Sequence, residues 1–273
     1  MVALTEVTVT GKLRRAGRGR PAPWRWAVLL VAGVFFLLPL VAAFKFALQV
    51  EPGKYDFSAF TGITSVDGFS PAFTLSIKLA IVTTLITLAL MVPTAVYVHL
   101  RAPQLRRLFE AVTVLPIVIP PVVLIVGVLQ VAPSFLKSTS YLLALEYAVL
   151  AMPFAYRALD AGLRAIDLQT LVEASRSLGG GWVNTMWRVV LPNLRSSLLS
   201  ATVLTVALVL GEYTMASLDQ YQTFSVWVVN TDQGNARVSV AVSLLALVLT
   251  WVLLMAISFL GRRRAGANRP GGN

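Results

Sequence analysis

Long apolar stretches separated by short polar segments dominate the sequence. A membrane helix needs about 20 mostly apolar residues to cross roughly 30 Å of hydrocarbon. Stretches of this kind predict six membrane spans, at residues 26–48, 72–98, 108–131, 141–158, 198–218 and 238–260. The third span contains Pro116, Pro120 and Pro121, and the fourth contains Glu146 and Pro153. Since neighbouring helices satisfy the carbonyl groups that a proline frees, we interpret these residues as facing the inside of a helix bundle.

The composition indicates that lipid is the main solvent. Of the 273 residues, 57% are hydrophobic, 13% are charged and none is cysteine. Soluble domains carry roughly a quarter charged residues. We therefore exclude a soluble globular fold, a disordered chain and a secreted fold held by disulfides. The predicted fold class is an all-α integral membrane protein with six transmembrane helices.

The first span is an anchor rather than a cleaved signal peptide. A basic tail, residues 1–25, precedes it, as it would in a signal peptide. The apolar run over 26–48 is longer than the signal-peptide core of about 7–15 residues, and no clear cleavage site with small residues follows. We expect this first transmembrane helix to stay in the mature protein, ahead of a core domain over 69–261.

The distribution of basic residues predicts the orientation. The formal net charge is +11, and 18 of the 23 Lys and Arg residues fall in the two tails and in the loops after the second and fourth spans. The opposite side has three, namely Lys54, Lys137 and Arg237. Basic loops stay in the cytoplasm. We therefore expect a multi-pass protein of the cell membrane with both termini cytoplasmic, a basic tail over 262–273 near lipid, and no nucleic-acid partner.

One cytoplasmic loop, residues 159–197, is too polar to cross the membrane and yet carries helical patterns. Apolar residues recur at helical spacing over 166–178, and three glycines, 179–181, follow. Glycine is common just past the end of a helix. A second helical stretch runs over 182–190 and ends near Pro192. The loop therefore predicts two short helices around a glycine turn.

Seven residues of this loop resemble the EAA motif, EAA-x3-G-x9-I-x-L-P, of permease subunits in binding-protein-dependent ABC importers of the type I fold. Ser175 stands where the motif has its second alanine, and Val189 stands where it has isoleucine. The spacing is intact, and the motif precedes the penultimate span. The seven residues are Glu173, Ala174, Ser175, Gly179, Val189, Leu191 and Pro192.

The resemblance implies a coupling loop that enters a groove on an ATP-binding subunit. It also implies two such ATPase subunits, a second permease that is identical or homologous, and an external solute-binding protein. Independently of the family, Ala174 and Gly179 allow close approach of a partner, and Glu173 and Arg176 offer a charged rim. The alternative is a merely solvated loop.

No catalytic or cofactor chemistry is evident in the chain. The phosphate-binding pattern G-x4-G-K-[ST] does not occur, so ATP and magnesium are expected only in the partner ATPase. With no cysteine and one histidine, a His/Cys metal site is excluded. We interpret that histidine, His99, as a residue of the membrane interface. The prediction is a transport protein that is not itself an enzyme.

Ionisable residues inside the spans are costly in hydrocarbon and usually face the bundle interior. At a rise of about 1.5 Å per residue, Lys78, Glu146 and Glu212 lie at a similar depth, roughly 10 Å from the outer surface. Either Lys78 pairs with a carboxylate and braces the helices, or Glu146 or Glu212 lines the translocation pathway. Glu212 with Tyr213 is the best pathway candidate, because an acid and a phenol follow a small residue there.

The solute is less well determined than the class of protein. Two carboxylates near the outer mouth favour a cation, and residues 210–218, LGEYTMASL, resemble permeases for spermidine and putrescine. Ferric ion, sulfate, molybdate and phosphonate are the alternatives within the family. An autonomous ion-gradient transporter or channel is the alternative from another class, and it leaves the motif of the cytoplasmic loop unexplained.

Overall fold

The structure is a computed structural model that describes residues 23–137 and 139–267. Most of the predicted basic tail 1–25 and the end of the tail 262–273 lie outside these residues. The longer α-helices are α1 (Pro23–Leu48), α3 (Phe69–Arg101), α4 (Arg106–Val118), α5 (Pro121–Val131), α7 (Ser140–Arg164), α8 (Leu168–Ser177), α11 (Arg195–Gly211) and α13 (Phe224–Ala267).

Short elements connect these helices. Strands β1 (Gln49–Glu51) and β2 (Lys54–Tyr55) pair antiparallel. The short α-helices are α2 (Ser58–Thr61), α6 (Ser134–Lys137), α9 (Trp182–Thr185), α10 (Leu191–Asn193) and α12 (Thr214–Leu218). Two 3-10 turns, Ile63–Ser65 and Pro103–Leu105, and one π-helical turn, Met186–Val190, complete the order.

The described chain divides into two units after Ala43. In the first unit, the residues of α1 carry large apolar side chains that are mostly exposed, among them Phe35 and Phe36. An exposed apolar helix of this length matches the predicted transmembrane anchor. The second unit holds all the other elements.

Four helices are long and apolar enough to span a membrane, namely α1, α3, α7 and the part of α13 over Phe224–Val252. Two bent pairs raise the number to six if each is one span: Pro103–Val118 with Pro121–Val131, bent by 97°, and Trp182–Asn193 with Arg195–Gly211, bent by 77°. Six spans, as predicted, therefore require each bent pair to count as one.

The bend in the third span has a cause in the sequence. A residue that precedes proline is pushed out of the helical conformation. Ile119 and Pro120 each precede a proline, and both are extended, with ψ angles of 125° and 134°. Two successive extended residues therefore separate α4 from α5.

The predicted helix over 198–218 is wrong at its C-terminal end. α11 stops at Gly211, Glu212 is extended with ψ 124°, and α12 starts anew at Thr214. The Glu212 carboxylate accepts hydrogen bonds from the backbone N–H groups of Met215 and Ala216. Glu212 therefore caps a second short helix instead of continuing the first.

The start of the sixth span also differs from the prediction. Residues 219–237 are predicted as an outer loop, but α13 begins at Phe224. The helix breaks at Asn235, with φ −149° and ψ 76°, and the Asn235 side-chain oxygen accepts the N–H of Val238 at 3.3 Å. The asparagine caps the longer portion of α13, so two helices meet where a loop is predicted.

The core of the second unit lies around α7, which packs against α3 and α11. Its largest fully buried side chains include Tyr147, Tyr156 and Leu159. At Gly162 a Cβ atom would lie 1.9 Å from the Ser197 Oγ, so only glycine allows α7 and α11 to cross this closely. This core extends to α8 through Leu168 and Val172, which joins the 159–197 segment to the bundle.

Candidate functional site

The segment predicted to couple begins with α8, which has a side-chain cap. The Asp167 carboxylate accepts a hydrogen bond from the Thr170 hydroxyl at 2.7 Å and one from the Thr170 N–H at 3.3 Å. These bonds, led by the hydroxyl, hold the pKa of Asp167 below its usual value. Leu168 and Val172 are buried on one face of α8, and Glu173 and Arg176 are exposed on another.

The glycine turn after α8 has the predicted form. Gly179 adopts φ +81°, in the left-handed region that glycine enters without strain. The N–H groups of Gly179 and Gly180 donate to the carbonyls of Arg176 and Ser175, each at 2.9 Å. At Gly180 a Cβ atom would lie 2.6 Å from the Ser175 Oγ and 2.7 Å from its carbonyl oxygen. The turn therefore needs glycine at two positions for different reasons.

A hydroxyl pair joins the two arms of the segment. The Ser175 Oγ lies 2.8 Å from the Thr185 Oγ1, and Thr185 is buried. The second arm contains the π-helical turn and α10, and the Asn193 amide donates to the Val189 carbonyl at 2.7 Å. The predicted pair of short helices around a glycine turn is confirmed, with a π-helical turn in the second arm.

The solvent-exposed side of the 159–197 segment carries apolar side chains, and we call this side the loop surface. Leu178 is 90% exposed, and Val183 and Trp187 are also exposed. A groove of about 370 Å³ runs along it, with Ala174 and Leu178 in its lining. Exposed apolar side chains on a polar segment are a feature of many interaction surfaces. The loop surface comprises the apolar residues Leu171, Ala174, Leu178, Val183, Trp187 and Val189 and the polar residues Glu173 and Ser175.

All seven motif residues belong to this segment. Glu173 is exposed and accepts a hydrogen bond from the Gln169 amide at 3.1 Å. Leu191 is half-buried, and Pro192 is exposed in α10, just before the 77° bend into α11. Glu173, Ala174 and Ser175 of the motif therefore lie on α8. Val189, Leu191 and Pro192 lie on the second arm, which contains the π-helical turn and α10.

The predicted pathway residues are not brought together as a bracing group. Lys78 is exposed on α3, and it forms no ion pair within the described residues. Glu146 is 3% exposed on α7, and neither of its carboxylate oxygens has a hydrogen-bond partner in the described part of the chain. Within the described residues, Lys78 and Glu146 therefore make no bracing pair: Lys78 is exposed on α3, and Glu146 is buried on α7.

Three carboxylates lie in one neighbourhood, and we call them the acidic cluster: Glu146, Glu212 and Asp219. Tyr147, which follows Glu146 on α7, belongs to the same apolar cluster as Met215 and Ala216 of α12, the helix between Glu212 and Asp219. Glu212 is occupied by the N–H groups of α12, and the Ser225 hydroxyl donates to its backbone carbonyl. Tyr213 is 40% exposed beside Glu212. The sequence interpretation missed Asp219, because it was assigned to an outer loop.

Metal binding finds no support in the described ranges. Over residues 23–137 and 139–267, no group of three or more His, Cys, Asp or Glu side chains is arranged to hold a metal ion.

Comparison with known sequences gives one family match and several related permeases. The sequence model of one protein family, described as binding-protein-dependent transport system inner membrane component, matches residues 91–265. A probable molybdenum ABC transporter permease protein of Haloferax volcanii is 29% identical over 249 residues, which are 86% of this chain and 90% of that protein. The molybdenum transport system permease protein ModB of Mycobacterium tuberculosis is 28% identical over 204 residues, which are 69% of this chain and 74% of that protein.

A shorter match is to the ferric transport system permease protein FbpB of Actinobacillus pleuropneumoniae, 33% identical over 103 residues, or 37% of this chain and 15% of that protein. Among solved structures, a bacterial ABC transporter involved in the import of the acidic polysaccharide alginate superposes with a TM-score of 0.67 at 13% identity, over 86% of this chain and 94% of that one. An amino acid ABC transporter gives 0.52 at 18% identity, over 77% and 99%. At these identities the structures show the fold alone.

Proposed function

The chain belongs to the family of inner membrane components of binding-protein-dependent transport systems, and from this premise we propose how it imports its solute. It is a permease of an ABC importer with the type I fold, so the predicted family and fold class are confirmed. It is a multi-pass membrane protein for a small solute. The family is a transport component and not an enzyme.

The loop surface docks the ATP-binding subunit. The observation that carries this proposal is the group of exposed apolar side chains around Leu178, with a groove beside them. They lie on a segment whose backbone is held by the hydrogen bonds of the glycine turn and of the Asp167 cap. Such a surface presents apolar area without having to be ordered on binding, which lowers the cost of association. The charged rim of Glu173 and Arg176 adds orientation.

The complete importer contains further subunits. We place two ATPase subunits, with their ATP and magnesium, on the loop surfaces of two permeases, either identical or homologous. An external solute-binding protein delivers the solute at the opposite side. Both termini are cytoplasmic, as the basic loops predict, and the ATPase pair moves the loop surfaces when it closes.

The proposed solute is a molybdate-type oxyanion. Two relatives that each align with more than two thirds of this chain are named as molybdenum permeases. Two features of the structure support this proposal over a cation: Glu146 is buried, and the Glu212 carboxylate accepts backbone N–H groups. Lys78 is exposed on α3 and supplies positive charge for an anion. Polyamine import, predicted from residues 210–218, has no support among the relatives.

Ferric ion is the second candidate, because one shorter match is a ferric permease. Uptake in cells that lack this gene and carry it back on a plasmid separates the candidates. We expect restored accumulation of labelled molybdate and unchanged accumulation of labelled spermidine and iron. Restoration of spermidine or iron uptake alone contradicts the oxyanion proposal and leaves the coupling role standing.

A further inference from the structure

One buried carboxylate, Asp160, joins three helices at the end of the bundle that leads into the loop surface. It is 8% exposed and lies near the end of α7. Arg106, the first residue of α4, donates its Nε to the Asp160 Oδ1 at 2.8 Å and places a terminal nitrogen 2.7 Å from the same oxygen. Arg164, one turn further along α7, places a terminal nitrogen 2.8 Å from the Oδ2.

His99, near the end of α3, adds a third helix to this group. Its Nε2 lies 3.2 Å from the Asp160 Oδ1, and its Nδ1 lies 2.9 Å from the carbonyl oxygen of Ala95. The Nδ1 contact is a hydrogen bond, whereas the Nε2 contact is a close approach to the carboxylate without hydrogen-bond geometry. We call the four residues the Asp160 joint: His99, Arg106, Asp160 and Arg164.

Two residues of the Asp160 joint, Asp160 and Arg164, directly precede the loop surface along the chain. α7 ends at Arg164, and the cap of α8, Asp167, follows three residues later. The buried faces of α7 and α8 belong to one apolar core, which also contains residues of α3. A buried ion pair adds little net stability, and in some proteins it fixes one arrangement of its partners. Here one carboxylate contacts the ends of three helices, and α7 shares its apolar core with α8.

We propose that Asp160 is a positioning residue that makes the ends of α3, α4 and α7 move as one body with the loop surface. A displacement of the loop surface by the ATPase then reaches the membrane helices instead of being absorbed between them. Removing the Asp160 charge leaves the docking residues in place but loosens this transmission. The inference rests on the coupling role proposed above for the loop surface.

The first test compares the Asp160→Asn permease with wild type, each reconstituted in liposomes with its ATPase subunits and binding protein. We expect the solute taken up per ATP hydrolysed to fall by about fivefold or more, with unchanged affinity for the ATPase. Asp160→Glu keeps the charge and retains most of the ratio. Glu110→Gln is the control, because Glu110 is exposed on α4 and forms no ion pair in the described chain.

An unchanged ratio in Asp160→Asn overturns the inference. A parallel loss of ATPase binding and uptake also overturns it, since that is the result of a merely structural role. If the variant fails to insert, Arg106→Gln replaces it, because Asp160 then keeps its contacts with the other two partners; we expect a smaller fall. If the wild-type loop surface does not bind the ATPase, the proposed coupling role itself fails.

A distance measurement tests the mechanical part. The chain has no cysteine, so two cysteines introduced at the exposed residues Gln104 and Gln169 carry spin labels at unique positions. In full-length permease in lipid nanodiscs, we expect a wider distribution of label distances for Asp160→Asn than for wild type. Equal widths contradict the role of Asp160 in holding α4 and α8 in one arrangement.

Discussion

The loop surface and the acidic cluster combine polarity and burial in opposite ways. The loop surface exposes apolar side chains such as Leu178, while hydrogen bonds fix its turn and its cap. In the acidic cluster Glu146 is buried and its carboxyl has no partner in the described chain, while Glu212 and Asp219 are half-buried. Exposed apolar area is stabilised by binding another protein, whereas a buried carboxyl depends on its own neighbours. Substitutions should therefore affect coupling at the loop surface and folding in the acidic cluster.

Charge reversal at the loop surface should have the largest effect. Glu173→Lys places a positive charge on the exposed rim that we assign to the ATPase contact, and like charges brought together at an interface cost several kcal/mol. We expect uptake of labelled solute to fall at least about tenfold, with normal membrane insertion. Glu110→Lys, at an exposed site on α4, is the matched control. Normal uptake in Glu173→Lys contradicts the docking role.

Two neighbouring glycines test the geometry of the turn. Gly180→Ala brings a methyl group within 2.6 Å of the Ser175 Oγ, whereas Gly181 has open space around its Cβ position and φ −71°. Overpacking of this kind costs about 1–3 kcal/mol. Hydrogen exchange over residues 168–185 should be faster in Gly180→Ala and unchanged in Gly181→Ala. Equal exchange in the two variants would show that the turn adapts.

The acidic cluster should respond through stability. Glu212→Gln weakens the charge-assisted hydrogen bonds to the N–H groups of α12, which lowers the free energy of unfolding by about 1 kcal/mol. Glu146→Gln removes a carboxyl that makes no hydrogen bond in the described chain, so its change should be smaller. Thermal unfolding in detergent compares the two variants. A larger loss in Glu146→Gln than in Glu212→Gln would contradict this account of the acidic cluster.

The smallest expected effect is the pH dependence of the α8 cap. Hydrogen bonds from Thr170 lower the pKa of Asp167 below 3.8 in the folded chain. The cap therefore contributes its stability above pH 3.8, and this contribution is lost as the pH falls through the lowered value. Asp167→Asn keeps a capping oxygen that does not titrate. The hydrogen-exchange rates of α8 in wild type and in Asp167→Asn should differ less in acid than at neutral pH. A difference that stays constant with pH contradicts the role of Asp167 as a cap.

What the sequence predicts well here is local. The glycine turn follows from residues within a few positions of one another, and the double proline explains the bend after α4. The end of α11 was missed because apolar residues continue through 214–218, and only the Glu212 side chain interrupts the helix. The sequence leaves the role of Lys78 open, because counting residues gives depth but not the direction that a side chain faces around the helix.

Asp160 was missed for a different reason. The sequence assigns it to the start of the polar loop, where a charge needs no partner, although α7 continues to Arg164. Its spacing of four residues from Arg164 indicates an ion pair on one helix face, but the contacts to Arg106 and His99 join distant parts of the chain. Such contacts follow from the packing of α3, α4 and α7, which composition and periodicity do not determine.

The central claim is that the loop surface docks the ATPase, and a single photo-reactive residue tests it most directly. Placed at Leu178, which is 90% exposed, the probe should cross-link the ATPase subunit in the assembled importer. Placed at Val131, which is 83% exposed at the end of α5, it should give no such product. A cross-link at Leu178 alone is the predicted result. An intact importer that cross-links the ATPase at Val131, or at neither position, contradicts the account.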